Sequence, residues 1–130
     1  MNAFLLLNDA HVVSKRSSPI HGQGLFNNIY VSALFDYGPA LLHRSFKNQY
    51  PHILCNNYNI DIDPYVRLKN VRYINHDTNP SCHFIMRSTS VHLISSHAIG
   101  ENEELTLNYH QACATIGIPL PQKYLLIKDN

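Results

Sequence analysis

Three short stretches carry residue types that could do chemistry, and they lie far apart along the chain. The first, Ile20-His21-Gly22-Gln23-Gly24-Leu25-Phe26, sets two glycines around one polar residue. Glycine suits a tight turn, and equally a place where main-chain amides and carbonyls must approach another group closely. In the second, Arg72-Tyr73-Ile74-Asn75-His76-Asp77-Thr78-Asn79-Pro80-Ser81-Cys82, an amide and an imidazole stand side by side between apolar Ile74 and a proline-containing loop. Burying such groups is costly unless they are hydrogen-bonded, so Asn75 and His76 need partners, in a capped turn or in a binding site. The third is Ile99-Gly100-Glu101-Asn102-Glu103-Glu104-Leu105-Thr106-Leu107-Asn108-Tyr109. Leu105, Leu107 and Tyr109 alternate with Thr106 and Asn108, so one strand face would end its apolar row in a phenol. That phenol is either an amphipathic core tyrosine with a wet tip or a hydroxyl aimed at a reacting group. Glu103 and Glu104 could act as a general base, but at a turn and strand start they fit a solvated structural role.

The elements that must position these groups read as mostly β. Period-two alternation and β-branched or aromatic enrichment predict strands at 4–7, 11–15, 24–30, 40–43, 82–86, 91–95 and 104–108. No stretch keeps helical periodicity for three turns. The polar run Arg87-Ser88-Thr89-Ser90 between two apolar strands has the spacing of a hairpin with a four-residue loop. Residues 46–66 differ, with Pro51, Asn56-Asn57, Asp61, Asp63 and Pro64 punctuating scattered Tyr and Ile, and this reads as an irregular insert. The later glycine of a dinucleotide-binding fingerprint is missing after Gly22-Gln23-Gly24, and no βαβ pattern surrounds it, which argues against a dinucleotide fold.

In order and polarity, the three stretches together resemble the SET domain family of protein-lysine methyltransferases, over about residues 10–110. The resemblance implies a mostly β SET-domain fold of short strands in small sheets, with little helix and a C-terminal pseudoknot that brings Tyr109 near Asn75 and Gly24. It implies S-adenosylmethionine as cofactor, met by Gly22, Gln23, Gly24, Asn75 and His76, and a catalytic role for Tyr109 beside the target amine. The acceptor would be a lysine of a protein or peptide, with histones among the family precedents. The central insert would help form its groove, making Tyr50, Tyr58, Tyr65, Asp61 and Asp63 candidates, joined by Tyr73 and Leu107. A further tyrosine near the amine would come from Tyr37, Tyr58, Tyr65 or Tyr73. Asp77, Thr78, Ser81 and Asn108 depart from the residues usual in the family, which keeps a catalytically weak SET-like peptide-binding module as the alternative. Where larger relatives carry a zinc-binding cysteine cluster, this tail has only Cys113, so a metal held that way is not expected. Ile116, Ile118, Leu120 and Tyr124 could supply an apolar lid from the tail at 111–130.

Composition bounds the rest. At 130 residues one domain is expected. A formal net charge of +1 without charge runs lacks the basic footprint of a nucleic-acid binder. The apolar run at 3–7 is too short for a membrane span and lacks the flanks of a signal peptide. Cys55, Cys82 and Cys113 are odd in number and widely spaced, as suits reduced thiols in an intracellular protein, cytoplasmic or nuclear. Self-association into a homodimer would be one way for so small a unit to cover apolar surface. The nine histidines predict a swing to positive charge below about pH 6. Solubility and melting temperature measured across about pH 5 to 8 should therefore change markedly, and a flat profile would contradict this.

Overall fold

The structure, a computed structural model, describes residues 5–46, 49 and 64–120. Its strands are β1 (Val13–Ser17), β2 (Gln23–Asn27), β3 (Asp36–His43), β4 (Tyr65–Arg67), β5 (Asn75–His76), β6 (Cys82–Met86), β7 (Ser90–Ser95) and β8 (Glu104–Leu107), followed by helix α1 (Tyr109–Ile116). They form two four-stranded sheets, ordered β1-β2-β8-β5 and β4-β3-β7-β6. The fold is mostly β in small sheets, as the sequence predicts.

In the first sheet β1 and β2 form an antiparallel hairpin, Val13 opposite Asn27 through Ser17 opposite Gln23. Ser18 N–H donates to the Gly22 carbonyl at 2.8 Å and closes it, with Gly22 at φ +46°, a conformation that favours glycine. β8 lies between antiparallel β2 and parallel β5, which explains why Leu105, Thr106 and Leu107 are all buried rather than alternating. The second sheet is antiparallel throughout: β3 pairs with β4 and β7, and β7 with β6, so that β4 and β6 form its two edges. The β3–β7 register slips around Pro39, which has no N–H to give the ladder. The hairpin falls where expected: Met86 and Val91 are the last β6–β7 pair, and Arg87 N–H donates to the Ser90 carbonyl at 2.8 Å.

Side chains of both sheets meet in one apolar core, with Leu25 and Leu105 from the first, Tyr37 and Leu93 from the second, and Leu7, Leu68 and Ile99 from the connections. Tyr37 is fully buried, and its hydroxyl donates to Asn27 Oδ1 at 2.6 Å. That bond satisfies both polar groups inside the core, so Tyr37 is a packing residue.

Two expectations need correction. The strand predicted at 4–7 is instead a 3-10 turn at Leu6–Asn8, with Asn8 N–H donating to the Leu5 carbonyl at 3.0 Å and Asn70 Nδ2 to the Leu7 carbonyl at 2.8 Å. Consecutive leucines carry no period, so pattern alone could not tell strand from turn. The predicted strand face ending in Tyr109 stops at Leu107, and Tyr109 opens α1. Eight residues are too few for periodicity to register, but both caps were readable: Asn108 accepts from Gln111 N–H at 3.2 Å, and Gly117 closes the helix at φ +73°.

Among the described residues Cys82 and Cys113 are free thiols. Burial pushes the Cys82 thiol up to about 12, against smaller opposite pulls from the Ser81 hydroxyl and the Thr106 backbone. Burial also raises the Tyr37 hydroxyl well above its ordinary range. An unfolded chain releases the thiol proton near pH 8.5 while the folded one holds it, so stability is full below that pH and falls as pH rises toward about 12. Urea unfolding at about pH 8 and about pH 11 should show Cys82→Ala losing less stability on alkalinisation than the parent, by about 3 kcal/mol. Equal losses would contradict the assignment.

Candidate active site

Pairing across the first sheet brings the three chemical stretches together. β5 runs parallel to β8 with Asn75 opposite Thr106 and His76 opposite Leu107, while β2 lies on the other side of β8 with Phe26 opposite Glu104. A clasp reinforces the short β5–β8 contact. Ser81 N–H donates to Thr106 Oγ1 at 2.9 Å, Thr106 N–H to Ser81 Oγ at 2.9 Å, and Ser81 Oγ to the Glu104 carbonyl at 3.1 Å. Ser81, one of the residues noted above as departing from the sequence resemblance, ties its loop to β8 through these bonds. Asp77, another, caps its own turn by accepting from Asn79 N–H at 2.9 Å.

Asn75 is buried, and its side-chain nitrogen faces three acceptors: the His21 and Gln23 carbonyls, each at 3.1 Å, and Glu104 Oε2 at 2.8 Å. These contacts assign the amide orientation, with nitrogen toward the first stretch and Oδ1 turned away. Two hydrogens shared among three acceptors leave a surplus of acceptor capacity, and one acceptor is a carboxylate. Such a cluster fits a cationic group, and the α-ammonium of S-adenosylmethionine is one. Asn75, with the Gly22-Gln23-Gly24 main chain, would hold that end.

The same carboxylate crowds Gly24. A Cβ there would stand 2.3 Å from Glu104 Oε2 and 3.0 Å from the Ser18 Cβ. Ser18 Oγ in turn donates to the Glu104 carboxylate, 2.8 and 2.9 Å from its two oxygens. Glu104 is thus half-buried and bonded, which corrects the solvated role expected of it. Glu103 is exposed and braces the turn by accepting from Gly100 N–H at 2.9 Å. Nothing local separates these adjacent glutamates: Glu104 begins β8, where Ser18 and Asn75 reach it, while Glu103 belongs to the turn before it.

Tyr109 is attached to both neighbours of Asn75. Its N–H donates to His76 Nδ1 at 2.9 Å and its hydroxyl to the Ile74 carbonyl at 2.5 Å, with its ring 5.2 Å from the imidazole centre. A backbone N–H can only donate, so Nδ1 of His76 carries no proton. Ile74, Leu107 and Tyr109 line an apolar pocket open to solvent, together with Ala112, Cys113 and Ile116 of α1 and Ile118 and Leu120 beyond it. Arg67 and Arg72 also line it.

The other predicted site residues are distributed unevenly. Leu107 lies in the pocket wall. Tyr65 sits on β4 against His43, ring centroids 6.2 Å apart, and Tyr73 is flanked by Lys15 at 5.0 Å and Arg72 at 4.8 Å; neither lines the pocket. Tyr50, Tyr58, Asp61, Asp63 and Tyr124 lie outside the described residues. Among the described residues no His, Cys, Asp and Glu group has the makings of a metal site, and no helix is long and apolar enough to cross a membrane.

The SET domain family model matches residues 3–110. The chain therefore belongs to the SET domain family, whose members are generally lysine methyltransferases and typically use S-adenosylmethionine. No curated protein matches it. Gly24→Ala should displace Glu104 and lower stability by about 1–3 kcal/mol through its broken bonds. Denaturant titration reads this directly, and an unchanged midpoint would contradict it.

Proposed function

We propose that this protein transfers a methyl group from S-adenosylmethionine to the side-chain amine of a protein lysine. The observation that carries this reading is the placement of the Tyr109 hydroxyl, pinned by the Ile74 carbonyl on the wall of an apolar pocket and one residue from the Asn75 cluster. The threading of the chain before Tyr109 through a loop closed by Asn75-His76 belongs to the same reading, supported by β8 pairing with β2 on one side and β5 on the other.

When bound, the sulfonium supplies an already activated methyl group, which leaves alignment as the main task of the protein. A free lysine of pKa near 10.4 is almost wholly protonated at neutral pH and offers no lone pair. The walls formed by Ile74, Leu107 and Ile116 disfavour the ammonium by desolvation, and Arg67 and Arg72 add like charge, both of which lower the amine pKa. Tyr109 spends its only proton on the Ile74 carbonyl, so its oxygen meets an amine as an acceptor. Accepting an amine N–H fixes where the nitrogen lone pair points. The phenol need not ionise for this, and water at the open mouth can take the released proton. The His76 bond to the Tyr109 main chain holds the start of α1, and so the phenol, in place.

Gly22, Gln23, Gly24, Asn75 and His76 are assigned to the cofactor side, and Leu107 to the acceptor side. Incubation with isotopically labelled donor and a cellular extract, followed by mass spectrometry, should find methyl-lysine in one or a few proteins. Tyr109→Phe should lower this turnover about a hundredfold through misplacement of the amine. Its calorimetric affinity for S-adenosylmethionine should stay near that of the parent. Full turnover in that variant would remove Tyr109 from the mechanism, and donor binding without any turnover would favour the peptide-binding module.

A further inference from the structure

One carboxylate touches all three chemical stretches. Glu104, at the start of β8, accepts from Ser18 Oγ ahead of the glycines, accepts from Asn75 Nδ2 at 2.8 Å, and occupies the space that a side chain at Gly24 would need. We infer that Glu104 is a positioning residue for cofactor recognition: through Asn75 it orients an acceptor cluster that selects the α-ammonium of the amino-acid end of the cofactor. This rests on the reading that S-adenosylmethionine binds here.

The chemistry of the cluster points to a cation. An asparagine amide can present either end, and a neutral surround of two carbonyls would pull its NH2 inward. Adding the carboxylate makes that orientation decisive, because the flipped amide would set its oxygen against a negative charge as well as two carbonyl oxygens. Asn75 Oδ1 is then left facing away from the cluster as an acceptor. A full negative charge also stands within hydrogen-bonding reach of the Asn75 amide, in a half-buried setting where a charge is screened less than in bulk water. A neutral donor satisfies the first feature alone and an anion neither, whereas an ammonium satisfies both. The Ser18 hydroxyl holds the carboxylate by both oxygens and keeps its charge aimed at Asn75 rather than at solvent.

A purely structural Glu104 would affect every ligand of the site alike, and this separates the two roles. Calorimetry should compare S-adenosylhomocysteine, which has the ammonium but no methyl group to transfer, with 5′-methylthioadenosine, which lacks the amino-acid end. Glu104→Gln keeps the shape and removes the charge. It should weaken S-adenosylhomocysteine about tenfold while leaving 5′-methylthioadenosine within about twofold. Ser18→Ala loosens the carboxylate without removing it and should give the same selective loss at about threefold, which covers the case of a poorly folded Glu104→Gln. Equal weakening of both ligands, or no weakening of either, overturns the role of Glu104 and leaves the cofactor reading standing. If the parent protein binds neither ligand, the cofactor reading itself falls, and this inference falls with it.

Discussion

A two-residue parallel pairing, Asn75-His76 of β5 against Thr106-Leu107 of β8, is the contact on which the site depends. Parallel pairs need a long crossover, and here the chain between them makes the entire β6–β7 hairpin before returning. So short a ladder is weak alone, each bond contributing about 1 kcal/mol. The Asp77 N–H to the Leu107 carbonyl, at 3.0 Å, extends it, and so do the reciprocal Ser81–Thr106 bonds, made by buried groups that no water can satisfy. Losing one such partner leaves a buried donor or acceptor unpaired, and that penalty, more than the bond itself, holds β5 in register.

From that register the chemistry follows in two directions. Toward β2, the Asn75 amide meets the carbonyls of the glycine stretch and the Glu104 carboxylate, giving an acceptor-rich, negatively charged end. Toward α1, His76 and Ile74 capture the main chain and hydroxyl of Tyr109, and beyond them the pocket is apolar. A polar, acceptor-rich cluster and an apolar wall thus stand a residue or two apart along the chain. Breaking β8 with a helix cap at Asn108 is what turns Tyr109 off the sheet and onto the pocket wall.

Much of the β framework could be read locally. The strand at 82–86 and most of those at 91–95 and 104–108 follow from alternation and flanking turn residues, because period two is a property of the extended backbone itself. The motif residues were legible as well: Asn75, His76 and the glycines are types whose cost or freedom demands explanation wherever they occur. Strand β4 and the two residues of β5 carried no such signal, being too short for a period. Helix α1 was hidden for the same reason, although its caps were in view.

Residue order along the chain was enough to establish the SET family and to nominate Tyr109, Asn75 and Gly24. Folding alone separated Glu104 from Glu103, buried Tyr37 against Asn27, and gave Ser81 a clasp on Thr106. Each of these is a choice of partner across a large separation in sequence. Such choices are set by strand register and by what must be hydrogen-bonded once water is excluded, and neither quantity exists until the sheets have formed.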